Sequence, residues 1–168
     1  IPKKSFEKRI KPLIPLYNDL VSSVCKIQTI SDIDNFNNIV TPRSKNLGAF
    51  LGGTIMYTRK IADIIYPIPV KLASEDKWQV LCIENFTNNI YHVPEILYYY
   101  RIHENNSSSR VDCFKNKNIS MHGRFIVYDL FLQNFKKKIT NLKEKELLAL
   151  NKAENLRFKG NSFKILFI

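Results

Sequence analysis

The chain has 168 residues, enough for one domain or part of a larger one, and its 45% hydrophobic and 24% charged content is globular and excludes wholesale disorder. No apolar run approaches the roughly 18 residues that cross a bilayer, and the composition also excludes collagen, a coiled coil and a disulfide knot. The net charge of +11 is uneven: residues 1–60 carry +6, residues 61–109 carry −3 and residues 110–168 carry +8.

Basic flanks around an acidic middle suit an anionic partner such as a phosphate-bearing ligand, an anionic lipid surface or RNA, or else form a solvated lysine-rich surface. The acidic middle argues against a uniform nucleic-acid binder, and no RNA-binding motif is present. Cys25, Cys82 and Cys113 are widely spaced with no CxxC, which reads as reduced thiols of a cytosolic protein and not as a zinc site. The opening Ile1-Pro2-Lys3-Lys4 has neither an initiator Met nor a secretory signal, which predicts a fragment or a processed chain.

In chain order, Ser5 is expected to cap a short helix through Phe6–Lys11, limited by Pro12 and Pro15. Loose alternation predicts a strand over Val21–Ile30, followed by a polar loop over Ser31–Asn46. Gly48–Gly53 leads into a buried strand at Thr54–Tyr57, and Ile61, Ile64 and Ile65 mark a short helix over Arg59–Ile65. After a proline-containing loop, Ser74 and the acidic pair Glu75-Asp76 start a helix that runs to about Glu84 with Trp78, Leu81 and Cys82 inward. Ile90–His103 reads as two extended strands around Pro94, and Asn105–Ser109 as a polar turn. From Ser120 the pattern is helical, with Phe125, Tyr128, Leu132, Phe135 and Ile139 as a stripe that ends at Lys136–Lys138. A second helix is expected over Asn141–Arg157, and the tail Ser162–Ile168 ends apolar.

Three places could carry chemistry. The positive end of a helix dipole favours an ionised carboxylate, which can take a proton from an attacking hydroxyl, so Glu75-Asp76 is either a base or an ordinary helix start. His103, beside Arg101 where a strand meets a polar turn, could bind a metal or a phosphate or be a plain surface residue. Gly52-Gly53 allows close approach to a ligand, or only a tight turn. His92 and His122 lack ligand partners at helical spacing and read as structural.

The order of these signals is more specific than any one of them. Gly52-Gly53-Thr54-Ile55-Met56-Tyr57-Thr58-Arg59, then Glu75-Asp76-Lys77-Trp78, then the run from Tyr91-His92-Val93-Pro94-Glu95 through Leu97-Tyr98-Tyr99-Tyr100-Arg101-Ile102-His103 to Asn106-Ser107-Ser108 resembles the second half of a family 2 bacterial glycosyltransferase of the GT-A fold. The resemblance covers about residues 1–110, the acceptor-side portion of that domain, and residues 111–168 look like its helical C-terminal extension. It implies an α/β fold with a Rossmann-like mixed sheet followed by helices. By the resemblance the chain begins directly after the family's nucleotide-binding opening and its Asp-x-Asp metal motif; Ile14-Pro15-Leu16-Tyr17-Asn18 imitates the opening strand, but no Asp-Asp-x-Ser loop follows.

By resemblance, Asp76 is the catalytic base that deprotonates the acceptor and Glu75 supports it. Gly52 and Gly53 line the sugar and acceptor pocket, Trp78 stacks on a sugar or lies in the core, and Arg101 neutralises the leaving diphosphate or braces its strand. His103 matches a position that helps hold Mg²⁺ or Mn²⁺, whose main ligands are expected in the N-terminal half. The implied activity is inverting, metal-dependent sugar transfer from a nucleotide-sugar donor to a glycan or lipid-linked acceptor, in bacterial polysaccharide or cell-envelope biosynthesis. The implied location is cytoplasmic, with the basic tail touching the inner membrane face or packed on the domain with its lysines in water. The alternative is a noncatalytic glycan- or partner-binding piece on the same scaffold.

Overall fold

The computed structural model describes residues 1–103 and 113–160. The turn expected over Asn105–Ser109, the Asn106-Ser107-Ser108 end of the long motif and the tail at Ser162–Ile168 lie outside the described residues. The protein is mixed α/β with a four-stranded mixed sheet. It divides into two units, residues 1–67 with 82–103 and residues 68–81 with 113–160.

The first unit is built around β1 (Val21–Ser31). On one edge β4 (Asn89–Ile102) runs parallel to it from Val21↔Asn89 to Ser31↔Ile102. The other edge is shared by two short antiparallel strands, β3 (Ile55–Tyr57) opposite Ser22–Val24 and β2 (Val40–Thr41) opposite Ile27–Gln28. Every residue from Val21 to Cys25 is buried, so this stretch is covered on both faces, and that is why its alternation is loose. The loop 31–46 expected from the sequence thus contains β2, a two-residue pairing too short to leave a period.

The two strands expected around Pro94 are one strand. Its register slips beside the proline: Cys25 faces Val93, Lys26 faces Ile96 and Ile27 faces Tyr98. Pro94 has no N–H to give the ladder, and the irregularity absorbs it without ending the strand.

Helix α1 (Ser5–Ile10) inverts the usual pattern. Ser5 and Arg9, one turn apart, are buried, while Phe6 is 62% exposed. Ser5 does not cap the helix as expected. Lys4 occupies the cap position in the left-handed region (φ 60°), and the Ser5 hydroxyl donates to Leu97 O at 2.6 Å. Lys8 pairs with Glu95 on β4. Helix α2 (Arg59–Ile65) buries Ile61 and Ile65 as its spacing predicts. Gly48 permits the loop before β3 to lie on β1: an added Cβ would be 2.5 Å from Val24 O and 2.6 Å from Val24 C. Ala49 N–H then donates to Cys25 O at 2.9 Å.

Helix α3 (Glu75–Phe86) is cut by the division between Leu81 and Cys82. Trp78, Leu81, Cys82 and Ile83 are all buried. Burial pushes the Cys82 thiol up to about 12 and also raises Cys25, so both are inert thiols.

The second unit adds α4 (Phe114–Gly123), α5 (Ile126–Phe135), a 3₁₀ turn at Lys136–Lys138 and α6 (Asn141–Phe158). Residues 114–119 of α4 show no apolar period, which is why the sequence predicts helix only from Ser120. The buried residues of α5 are Val127, Phe131 and Leu132; of the expected stripe Leu132 is buried and Phe125, Tyr128, Phe135 and Ile139 are half-buried, because adjoining apolar residues widen the stripe. Trp78 packs edge-on to Phe131 (5.9 Å, 73°) and tilted on Phe135 (5.6 Å). Thr140 caps α6, accepting the Lys143 N–H at 3.2 Å.

A buried carboxylate joins α4 to α6. Arg157 grips Glu154 with Nε to Oε2 at 2.6 Å and Nη2 to Oε1 at 2.5 Å, and His122 Nδ1 lies 3.3 Å from Oε1. His122 stacks on Phe158 at 3.8 Å, and Arg157 Nη1 donates to Asn118 Oδ1 at 2.5 Å. The Arg157 fork holds the Glu154 carboxyl below its usual range, against the opposing effect of burial.

Two outcomes follow from this packing. Gly48→Ala should cost about 1–3 kcal/mol, because the obstructing atoms are backbone; an unchanged urea midpoint would contradict the close approach. A depressed Glu154 contributes stability above the ordinary glutamate value that is lost as pH falls through its lowered one. The parent should therefore lose more thermal stability than Glu154→Gln between about pH 5 and about pH 3. Parallel pH profiles would contradict that contribution.

Candidate active site

The expected site residues divide between the units. Gly52, Gly53, Arg101 and His103 belong to the first, and Glu75, Asp76 and Trp78 to the second.

In the first unit, Gly52–Thr54 is a 3₁₀ turn that delivers the chain to β3. The fully buried Thr54 hydroxyl organises it, lying 2.5 Å from Ala49 O and 2.8 Å from Leu51 O while accepting the Leu51 N–H at 3.1 Å. Gly53 is needed for a close approach: a Cβ there would run into the Tyr98 ring. Two residues before the turn, Phe50 meets His92 edge-on at 6.0 Å. His92 Nδ1 accepts the Gly48 N–H at 3.0 Å, which places its proton on Nε2 and gives it the structural role expected.

Beneath the turn lies Arg9, which sequence reasoning missed. It is only 6% exposed, and Nη2 donates to Gly53 O at 3.0 Å and to Ile55 O at 3.3 Å. Among the described residues no carboxylate pairs with it, and its Nε has no partner. A buried cation neutralised only by carbonyl dipoles is costly to keep. Here it fixes the carbonyls on both sides of Thr54. The only sequence signal was the Ser5/Arg9 spacing, which marks a polar face and would ordinarily be assigned to solvent.

Arg101 and His103 flank buried Ile102 at the end of β4, and both are exposed. Arg101 is the last residue but one of β4, and His103 follows directly on its end. Because β4 and β1 are parallel, both finish at this end, Ile102 opposite Ser31. The carboxyl end of parallel strands is where open α/β sheets bind ligands. Tyr98, against which Gly53 packs, lies three residues earlier on the same strand, so β4 links the turn to the Arg101–His103 end.

In the second unit, Glu75 and Asp76 form the first turn of α3, Glu75 exposed and Asp76 half-buried. The next residue, Lys77, lies over the Phe125 ring at 4.4 Å, and burial lowers its pKa. Trp78 is 2% exposed and held between Phe131 and Phe135, so of its two expected places the structure gives the core and leaves no ring face for a sugar.

Among the described residues no three His, Cys, Asp or Glu side chains gather where an ion could be held. Comparison with family models, with curated proteins and with solved structures returns no match to this chain.

If Arg9 braces the turn, Arg9→Met should cost about 1–3 kcal/mol and speed amide exchange at residues 53–55 more than in β4. Arg9→Lys should recover part of both. Uniform acceleration across the unit would reduce Arg9 to a general packing role.

Proposed function

We propose that the chain is the acceptor-side portion of an inverting, metal-dependent glycosyltransferase of GT-A family 2. It would transfer a sugar from a nucleotide-sugar donor to a glycan or lipid-linked acceptor in building a bacterial surface polysaccharide. The observation that carries this reading is the order of three features. A Gly-Gly turn enters a strand, an acidic pair opens a helix, and a strand closes on Tyr98-Tyr99-Tyr100-Arg101-Ile102 with His103 next in the chain. The exposed Arg101–His103 end of a parallel strand pair and the half-buried Asp76 in the first turn of α3 support it.

In this reading the acceptor hydroxyl donates a hydrogen bond to Asp76. As its oxygen bonds to the anomeric carbon, its proton passes to the Asp76 carboxylate. The bond from the anomeric carbon to the diphosphate oxygen breaks on the opposite face, and the diphosphate leaves with the electron pair, so the configuration inverts. Glu75, exposed beside the base, orients the acceptor through a second hydroxyl. By the family resemblance alone, Arg101 would neutralise the leaving diphosphate and Gly52-Gly53 would line the sugar pocket.

A divalent Mg²⁺ or Mn²⁺ neutralises diphosphate charge when bound. His103 would help hold it, and among the described residues no three His, Cys, Asp or Glu side chains gather as a complete site. A second reading is a noncatalytic scaffold that binds glycan or a partner. The reading places the protein in the cytoplasm, touching the inner membrane face through exposed Lys137, Lys138 and neighbouring lysines. No helix among the described residues is long and apolar enough to cross a membrane.

Asp76→Asn decides between the two readings. In protein expressed from the complete reading frame that contains these residues, transfer from a panel of nucleotide sugars with Mn²⁺ should fall by about 10²–10⁴-fold in the variant, with its fold intact by circular dichroism. Activity equal to the parent, or no turnover of any donor by the parent, would leave the scaffold reading.

A further inference from the structure

The first unit holds an apolar pocket of about 400 Å³, lined by none of the candidate site residues. Its wall is Ile10, Leu13, Ile14, Tyr17 and Tyr57, with Arg59 at its mouth. The volume lies in the range of about 300–1,000 Å³ usual for small-molecule sites. Leu13 is buried, but Ile14 is 60% exposed and Tyr17 68%. The inverted helix α1 contributes to this face, because burying Ser5 and Arg9 turns Ile10 toward the pocket and Phe6 toward solvent. Single exposed apolar residues need no explanation, but a contiguous set lining a concavity does.

The polar side chains that line the pocket are those of Tyr17, Tyr57, Thr58 and Arg59, and the Thr58 hydroxyl is taken up in donating to Asp19 O at 2.6 Å. The Tyr57 hydroxyl lies 3.1 Å from that of Tyr66, and burial, with Tyr66 beside it, raises the Tyr57 pKa and keeps it protonated. Arg59 uses Nε to donate to Asp63 Oδ1 at 2.8 Å, and its Nη groups make no hydrogen bond among the described residues. Residues 1–20 and 55–66, which build the pocket, carry seven Lys or Arg against three Asp or Glu. An apolar wall, donors at the mouth and a positive surround are complementary to a hydrocarbon tail with an anionic head. A planar carboxylate matches the guanidinium fork best.

We propose that this pocket binds a medium-chain carboxylate, its hydrocarbon against Ile10, Leu13, Ile14 and Tyr17 and its head group at Arg59 and Tyr57. The site is independent of sugar transfer and needs no donor, so its failure leaves the glycosyltransferase reading untouched.

Calorimetric titration of the full chain with decanoate and with 1-decanol tests it. Decanoate should bind one to one and at least about fivefold tighter than the alcohol. Arg59→Gln should reduce decanoate to the affinity of the alcohol, and Ile14→Glu should weaken both by about tenfold or more. Both side chains lie largely in water, Arg59 87% exposed and Ile14 60%, so both variants should keep the parent's circular dichroism. Equal binding of acid and alcohol, indifference to Arg59→Gln, or no binding would overturn the proposal. So would a dimer in sedimentation that Ile14→Glu dissociates, since the face would then belong to a second copy.

Discussion

The parallel ladder between β1 and β4 is the constraint on which the first unit depends. Parallel strands need a long crossover, and here residues 32–88 lie between the two. The ladder uses one edge of β1 along its whole length and leaves the other to β2 and β3. Val21–Cys25, at the start of that ladder, are buried. The ladder also sets the strand direction, and so brings Arg101 and His103 to the carboxyl end of the pair. Even the proline in β4 is accommodated by a shift of register and not by a break, because eleven paired positions outweigh one missing N–H.

The second constraint is electrostatic. Two buried charges are handled in opposite ways. Glu154 is met by a guanidinium fork and a histidine, so its charge is compensated by neighbours from two helices. Arg9 has no carboxylate among the described residues and rests on the carbonyls of Gly53 and Ile55. The first is a fastening, and the second holds the one glycine turn that a ring, Tyr98, already crowds. In both, the hydrogen-bond geometry explains why a charge is tolerated away from water.

Much of the architecture was legible where period and burial agree. The Ile61/Ile65 spacing of α2 emerges as expected because one face of that helix must be buried and shows it, while β1 and α3 start where a loosely alternating run and an acidic first turn place them. Where a polar residue is buried or an apolar one is not, pattern reading fails. Ser5 has the residue type of a cap but buries its hydroxyl against Leu97 O, the buried set of α5 is wider than its sequence stripe, and the start of α4 shows no period, since only Asn118 and His122 of that helix are even half-buried. Arg9 could not be found from the sequence, because nothing local distinguishes a lysine-like surface charge from one held under a turn. Of the candidate site, the glycine turn, the acidic helix start and the strand end were each visible, and Trp78 settled in the core through its contacts with Phe131 and Phe135.

The central claim is a reaction with a defined stereochemical result, so the most direct measurement is the anomeric configuration of the product. Proton NMR should follow the anomeric coupling constant as the protein of the complete reading frame turns over a nucleotide sugar of known configuration. A single-displacement base at Asp76 predicts a product of the opposite configuration from its first appearance. A product that keeps the donor's configuration would contradict a one-step displacement with Asp76 as its base.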